Sequence, residues 1–316
     1  MPVISVIIPM RNCEKYVEQT LRSMLAQTGV DLEIVVVNDG STDKSADVVR
    51  ALNDARIKLV KGPCQGIAAA LNAGLAHATG ELFCRCDADD FYEPADRLAA
   101  QTAFLQNHPE FGAVCGRYTM VSPTGKLVDT KPENESPDEI TVELQSGKGR
   151  THLNTFMVRM SIVRQLNGFR PYFIGTEDND FQLRLSDVAR IWYEPASRYV
   201  YRLHSESITH TQPTAQRKFL EKMAREFQLQ RQSGRQDDLD LGKPPALPDT
   251  YETEKPHDLN NHLQDVLIGR AWKEHRAGRR GRAVWIGLNA CLKRPMRLSA
   301  WRGLAALAIK RPGGAR

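Results

Sequence analysis

Val3-Ile4-Ser5-Val6-Ile7-Ile8 opens the chain with β-branched apolar residues at every position but one. The run does not alternate apolar with polar residues. It therefore reads as a strand buried on both faces of a parallel sheet, not as the half-wet strand of an open antiparallel one. Outward from it, Val17, Leu21, Met24 and Leu25 fall on one face of a surface helix. A second strand follows over Ile34–Val37 and runs into Asn38-Asp39-Gly40-Ser41. The next helix carries Val48, Val49 and Leu52, and either Ser41 or Thr42 is placed to cap it.

The rhythm continues with a strand over 56–60, an alanine-rich helix over 65–79, a strand over 81–86 and a helix over 96–106. Strands alternating with helices specify an α/β fold with a mainly parallel sheet and helices on both faces. After residue 112 the pattern loosens. Strand-like stretches are expected at 112–121, Phe156–Val158 and 191–204, and helices at 161–166 and 180–186, with turns and loop over 122–150. A polar amphipathic helix spans 214–232, a proline-containing linker 233–262, and a helical tail 263–316. The expected domains are a catalytic domain over 1–212, its halves meeting near residue 112, and a helical C-terminal extension over 213–316.

The chain has 316 residues, 41% hydrophobic and 26% charged, with a formal net charge of +5. That is enough for a substantial core, and it is neither a disordered nor a strongly basic composition. Six cysteines stand without a C-x-x-C pair, which reads as free thiols in a reducing compartment. The N-terminus lacks the layout of a signal peptide, and no apolar stretch is long enough to span a bilayer. The expected location is cytoplasmic, peripheral on the inner face of the membrane at most.

In such a sheet, ligands bind at the carboxyl ends of the strands. Two acidic clusters fall there: Asp39, and Asp87-Ala88-Asp89-Asp90. An aspartate pair one residue apart at a strand end suits a hard divalent ion, Mn²⁺ or Mg²⁺, which also binds phosphate oxygens. The first strand leads into Pro9-Met10-Arg11-Asn12, with no G-x-G-x-x-G and no Walker A loop, which argues against a dehydrogenase or a nucleotide triphosphatase. A third cluster, Glu177-Asp178-Asn179-Asp180, enters a helix. One of these carboxylates can serve as general base toward a hydroxyl, and spacing alone does not choose between them.

Taken together, the motifs resemble the family-2 inverting glycosyltransferases with a GT-A fold. The resemblance covers roughly residues 3–210. It is carried by Ile4–Asn12, by Asp39-Gly40-Ser41-Thr42-Asp43, by Gly66–Gly74, by Asp87-Ala88-Asp89-Asp90 and by Glu177–Arg184, in the family's order. It implies a Rossmann-like, mostly parallel sheet flanked by helices. It also implies a nucleotide-sugar donor, UDP-linked by default, and a saccharide or lipid-linked saccharide acceptor in cell-surface polysaccharide or lipopolysaccharide assembly. Pro9 and Asn12 would lie beside the nucleoside, Asp39 on the base, Asp87 on the ribose side and Asp89 on the metal. Asp178 would be the catalytic base, with Glu177 orienting the site or acceptor. Arg202 and His204 would contact the diphosphate, or His204 the metal. Leu71 and Cys86 depart from the family pattern: many relatives have Arg at the first position and an aliphatic residue at the second. His152, Tyr172 and Phe173 are candidates for the acceptor side, the last two as rings stacking on a sugar, whereas Trp192 and Trp285 read as packing residues.

After Glu274 there are eleven Lys or Arg and no acid, with Leu, Trp and Ile interspersed. Such a segment lies on an anionic membrane surface, or packs on the catalytic domain with its basic face in water. The basic residues gather in one tail with no nucleic-acid-binding motif beside them, so no nucleic-acid partner is expected. The competing readings are a nucleotidyltransferase, which lacks its Gly-rich basic loop here, and a carbohydrate-binding or scaffold protein derived from a glycosyltransferase, against which the retained carboxylates argue.

Overall fold

The computed structural model describes residues 2–132, 136–207, 213–247 and 258–310. The chain divides into two compact units, the first made of Met1–Tyr118, Lys131–Tyr201 and Ala215–Tyr251, the second of Thr119–Thr130, Arg202–Thr214 and Glu252–Arg316.

The first unit begins β1 (Val3–Met10), α1 (Val17–Leu25), β2 (Asp31–Asn38), α2 (Ser45–Ala51), β3 (Ile57–Lys61), α3 (Ile67–His77) and β4 (Leu82–Arg85). β1 pairs in parallel with β2 on one side and β4 on the other, and β2 takes β3. The order β3-β2-β1-β4 puts β1 inside the sheet, which is why Ile4, Val6, Ile7 and Ile8 are all fully buried. Its residues alternate between two cores. Ile4, Val6 and Ile8 pack with Leu21 and Met24 of α1, while Ile7 packs with Ala70 and Leu71 of α3. Each such buried aliphatic side chain stabilises the fold by roughly 1.5–3 kcal/mol. The approach of α3 to β1 requires Gly74, since a Cβ there would come within 2.4 Å of Ile7.

The unit continues with β5 (Phe91–Tyr92), α4 (Arg97–Asn107), β6 (Phe111–Val121), β7 (Leu127–Lys131), β8 (Asp138–Glu139), α5 (Thr141–Gln145), a 3₁₀ turn over Leu153–Thr155, β9 (Met157–Arg159), α6 (Met160–Gln165), α7 (Glu177–Val188), β10 (Arg190–Arg202) and α8 (Thr214–Gln232). The sheet runs on from β4 through β9, β6 and β10 to β5, and β8 also pairs with β10. β9 is antiparallel to both β4 and β6, and β10 to both β5 and β8. The sheet is therefore mixed: parallel where helical crossovers join the strands, antiparallel where later connections let the chain turn back.

Three local expectations change. α2 starts at Ser45, because Ser41 and Thr42 are held elsewhere: Ser41 Oγ accepts from Asn12 N, and Thr42 N donates to Asn12 Oδ1. The stretch read as loop over 122–150 holds β7, β8 and α5, each only two to five residues long. The compact units also do not follow a boundary at residue 212. Leu220, Met223, Ala224 and Phe227 of α8 pack against Phe173 and Leu183, so this helix belongs to the first unit. Beside that cluster, Arg170 donates to Asp180 and Asp237, and Arg231 donates to Asp187 and Asp237.

In the second unit the end of β6 pairs with β7 through a turn in which Ser122 N donates to Lys126 O. Three helices, α9 (Leu259–Arg276), α10 (Arg280–Lys293) and α11 (Leu298–Ile309), pack around Ala271, Ala283, Ile286 and Leu307. α9 is capped by Asp258, whose side chain accepts from Asn261 N. Among the described residues no helix is long and apolar enough to cross a membrane.

Candidate active site

The parallel register aligns the carboxyl ends of three strands. Met10 pairs with Asn38, and Ile7 pairs with Arg85. Asn12, Asp39 and Asp87–Asp90, far apart in sequence, therefore leave the sheet along one rim, where an α/β sheet binds ligands.

Asp87 is held on every side. Its Oδ1 accepts from Arg85 Nε at 2.9 Å and its Oδ2 from Asn154 Nδ2 at 2.9 Å, while its own N–H donates to Tyr199 Oη at 3.2 Å. Tyr199 in turn donates to Asp90 Oδ2 at 2.6 Å, and Thr20 of α1 donates to the carbonyls of Ala88 and Asp90. The aspartate turn is thus fixed by residues from α1, the 3₁₀ turn and β10.

Arg85 connects this turn to the third acidic cluster. Its Nη1 donates to Glu177 Oε1 at 2.9 Å, and both side chains are at most 5% exposed. Burial works against the guanidinium charge, but Asp87, Glu177 and Asp178 outweigh it and hold Arg85 firmly protonated. Glu177 responds the other way. Burial pushes its pKa up to about 7, with Asp178 adding to the rise and Arg85 opposing it. Its second oxygen, Oε2, is buried with no hydrogen-bond partner. Asp178, next along, is half-buried at the first turn of α7. A helix N-terminus favours carboxylates there, so position alone does not make it a base.

Asp43, Asp87 and Asp89 surround Cys13. Burial and then Asp89 push the Cys13 thiol up to about 12, so it is no thiolate nucleophile. Asp89 is half-exposed. Among the described residues no group of three or more His, Cys, Asp or Glu is arranged to hold a metal. Both oxygens of Asp87 already accept hydrogen bonds. A Mg²⁺- or Mn²⁺-type ion that takes most of its oxygens from a diphosphate and water needs only one or two carboxylates. Asp89 fits that requirement.

Asp39 is 5% exposed, and its two oxygens accept from Cys64 N at 2.6 Å and Gly66 N at 3.1 Å. Its carboxylate therefore shapes the loop before α3. Asn12 takes a positive φ of 53° and ties the β1–α1 loop to Thr42. Pro9 is half-buried at the end of β1.

On the other side, His152 lies edge-on to Tyr118 at 4.5 Å and stacked on Tyr201 at 5.6 Å. Burial pulls its pKa down while Asp178 pulls it up, the net being a decrease, so the ring is neutral at pH 7. Of the expected pair of stacking rings, Phe173 is corrected. Phe173 is fully buried in the α8 cluster and has no face for a sugar, and the Tyr172 hydroxyl donates to Pro245 O at 2.9 Å. Trp192 packs on Phe104 and Phe111, as expected of a packing residue, but Trp285 is 66% exposed and does not fill that role. Cys86 and Leu71 are fully buried core residues. Arg202 and His204 lie in the second unit, both largely buried, and Arg202 Nη1 donates to Pro123 O at 3.4 Å.

Residues 5–166, half of the chain, match the family described as Glycosyl transferase family 2. The chain belongs to that family. Among relatives, it is 30% identical to a chondroitin synthase of Pasteurella multocida over 209 residues, 66% of this chain and 21% of the synthase. It is also 30% identical to the putative glycosyltransferase EpsH of Bacillus subtilis over 217 residues, 66% of this chain and 62% of that protein. The chain thus spans a fifth of the one and under two thirds of the other. Among solved structures, S. aureus TarS in complex with UDP-GlcNAc superposes with a TM-score of 0.57 at 17% identity, covering 96% of this chain and 90% of that one. A mannosyltransferase from Pyrobaculum calidifontis in complex with GDP-Man and Mn²⁺ gives 0.51 at 21%, covering 98% and 86%. These likenesses establish the fold.

For a family-2 glycosyltransferase site, the reading of sequence motifs overlooks Arg85, Asn154 and Tyr199. One signal was available. Arg85 and Asp87 are two apart where a strand ends, so their side chains leave on the same face.

Proposed function

We propose that this protein transfers a sugar from a nucleotide diphosphate donor, a UDP-sugar in the first instance, to an acceptor hydroxyl with inversion at the anomeric carbon. The observation that carries the reading is the ion-paired bridge Asp87–Arg85–Glu177, which ties the aspartate turn of the sheet rim to the start of α7 beside Asp178. Family membership and the UDP-GlcNAc and GDP-Man held by the two similar structures support it.

In this reading Asp178, more open than Glu177, accepts the proton of the acceptor hydroxyl as that oxygen attacks. Glu177 fixes the position of its neighbour through Arg85, and its buried Oε2 is free to take an acceptor hydroxyl as donor. Asp87, held by Arg85 and Asn154, orients the ribose side. Asp39 and Asn12 shape the loops around the nucleoside. Asp89 would hold Mn²⁺ or Mg²⁺, which supplies neutralising charge to the leaving diphosphate. His152, neutral and packed between two tyrosines, borders the acceptor. The acceptor is a saccharide or lipid-linked saccharide of a cell-surface polysaccharide or lipopolysaccharide, glycosylated on the cytoplasmic side.

The test is thermal stabilisation by UDP, dTDP, GDP and CDP, each with and without Mn²⁺, followed by transfer assays on Asp178→Asn. One diphosphate should raise the melting temperature only with metal, and D89N should abolish that rise. D178N should keep the rise and lose at least about a hundredfold in turnover, the contribution expected of a general base. Near-normal turnover in D178N removes Asp178 from the role.

A further inference from the structure

α10 is apolar on two opposite faces. One face, Ala283, Ile286, Gly287, Ala290 and Cys291, is buried in the three-helix bundle. The other carries Trp285, Leu288 and Leu292 at spacings of three and four, exposed by 66%, 41% and 62%. A helix that is apolar all round is normally covered all round. Beyond its end, Met296 in the turn and Leu298 at the start of α11 are 91% and 70% exposed. Trp285, Leu288 and Leu292 lie side by side on one helix face, unlike singly scattered apolar residues.

The charge of this unit's helical segment is mainly positive. Residues 258–310 hold eleven Lys or Arg against three acids, Asp258, Asp265 and Glu274. Those acids are paired: Glu274 with Arg279 and, at 3.8 Å, Arg282; Asp258 with Arg294 at 3.7 Å; Asp265 with Arg297 at 2.6 Å. Lys293, at the end of α10, and Arg302 on α11 form no salt bridge among the described residues, and both are exposed. A protein partner with an apolar patch would leave this excess charge unanswered. A surface combining apolar depth with dense negative charge answers both. Trp with flanking Lys and Arg is the composition that settles at the boundary of headgroups and acyl chains, where long basic side chains reach back to the phosphates. Among the described residues no helix is long and apolar enough to cross a bilayer.

We propose that the outer face of α10, with Trp285, Leu288 and Leu292 inserted and Met296 and Leu298 beside them, is a docking surface for an anionic lipid bilayer. The assignment is independent of the transfer chemistry and narrower than a basic tail. The insertion belongs to one helix face, while Leu307 is spent in the bundle core.

The test is co-sedimentation of the full chain with phosphatidylcholine vesicles and with vesicles containing about 30% phosphatidylglycerol, at ~50 mM and ~500 mM salt, which bracket the range over which surface charge is screened. Binding should need the anionic lipid and fall at high salt. The triple variant W285S/L288S/L292S changes only exposed side chains; with an unchanged melting temperature, it should lose at least about tenfold in affinity, because it removes the apolar groups that insert. The wild-type chain gives an independent reading: its tryptophan emission should be quenched by lipid brominated near the headgroup, and W285F should lose most of that quenching. Three results overturn the proposal: no binding to anionic vesicles at low salt, wild-type binding and quenching after the substitutions, or a wild-type dimer that the triple variant dissolves, which would make a second copy the occupant.

Discussion

Arg85 carries its charge at 5% exposure, and such a burial is tolerable only because two carboxylates meet it. The guanidinium fork matters as much as the charge. Nε serves Asp87 and Nη1 serves Glu177, so one rigid plane sets the separation of the two sides of the site. A lysine keeps the charge but offers a single point, and it cannot reproduce both contacts in a fixed geometry. Arg85→Lys should therefore lower kcat at least about tenfold, because small misplacements of reacting groups are expensive. Its loss in melting temperature should be much smaller than that of Arg85→Gln, which strands the buried Glu177 carboxylate at a cost of about 3–5 kcal/mol. Steady-state kinetics and thermal melts of the two variants separate the effects; unchanged turnover in R85K would show that the bridge does not position the site. At this scale, the carboxylates were legible in the sequence because each stands where a strand ends or a helix begins. The groups that hold them were not. Arg85 meets Glu177 across 92 residues, Asn154 meets Asp87 across 67 and Tyr199 meets Asp87 across 112, distances at which no local pattern survives.

Among the elements, the buried strands were the most legible, and they carry an unannounced polar knot at the end opposite the site. Glu33 of β2, 7% exposed, accepts from Ser5 of β1 at 2.6 Å, from Gly80 N at 3.1 Å and from Thr79 N, and pairs with Lys58 of β3. One carboxylate thus staples three strands and the entry to β4. Burial alone would raise its pKa, but Lys58, Ser5 and Thr79 overcome that and lower it from about 4.5 to about 2. The sign follows from linkage: the folded state binds the proton less readily than the unfolded chain, so the stabilisation is complete above about pH 4.5 and drains away as pH falls toward 2. Its size is about 2 kcal/mol, reduced from the full shift because Lys58 is nearly half exposed. Glu33→Gln should lower stability by that order at pH 7 and flatten the acid limb of the stability curve between pH 4.5 and 2. Urea melts across that range measure it, and an acid limb as steep as that of the wild type would remove Glu33 as its source. The short elements β8 and α5 escaped the sequence reading for a different reason. A strand of two residues or a helix of five spans less than two periods of its own pattern, so periodicity has nothing to register.

For the whole chain, the sequence placed a boundary where composition turns polar, at the start of α8, and the packing does not respect it. α8 is polar because most of its surface faces water, yet a narrow stripe of Leu220, Met223, Ala224 and Phe227 closes over Phe173 and Leu183. Leu183 lies on α7, the helix whose first turn carries Glu177 and Asp178. The ion pairs of Arg170 with Asp180 and of Arg231 with Asp187 brace the same helix. Were α8 an appendage, removing its central ring would leave the site untouched. As part of the first unit, it supports α7 from behind, and Phe227→Ala opens a cavity under Phe173 and Leu183. The expected cost is about 3–5 kcal/mol in stability, the usual range for losing a buried Phe. The functional signature is more telling. In the proposed reading donor binding draws on the sheet rim, formed by β1, β2 and β4, and should survive in the folded fraction. Turnover, which draws on the first turn of α7, should fall. Nucleotide titration and single-turnover transfer, both measured well below the variant's melting temperature, distinguish the cases. If both remain at wild-type values, α8 is a stabilising cover and nothing more. If turnover falls while nucleotide affinity holds, the apolar stripe of a polar helix is part of what keeps the proposed base in place.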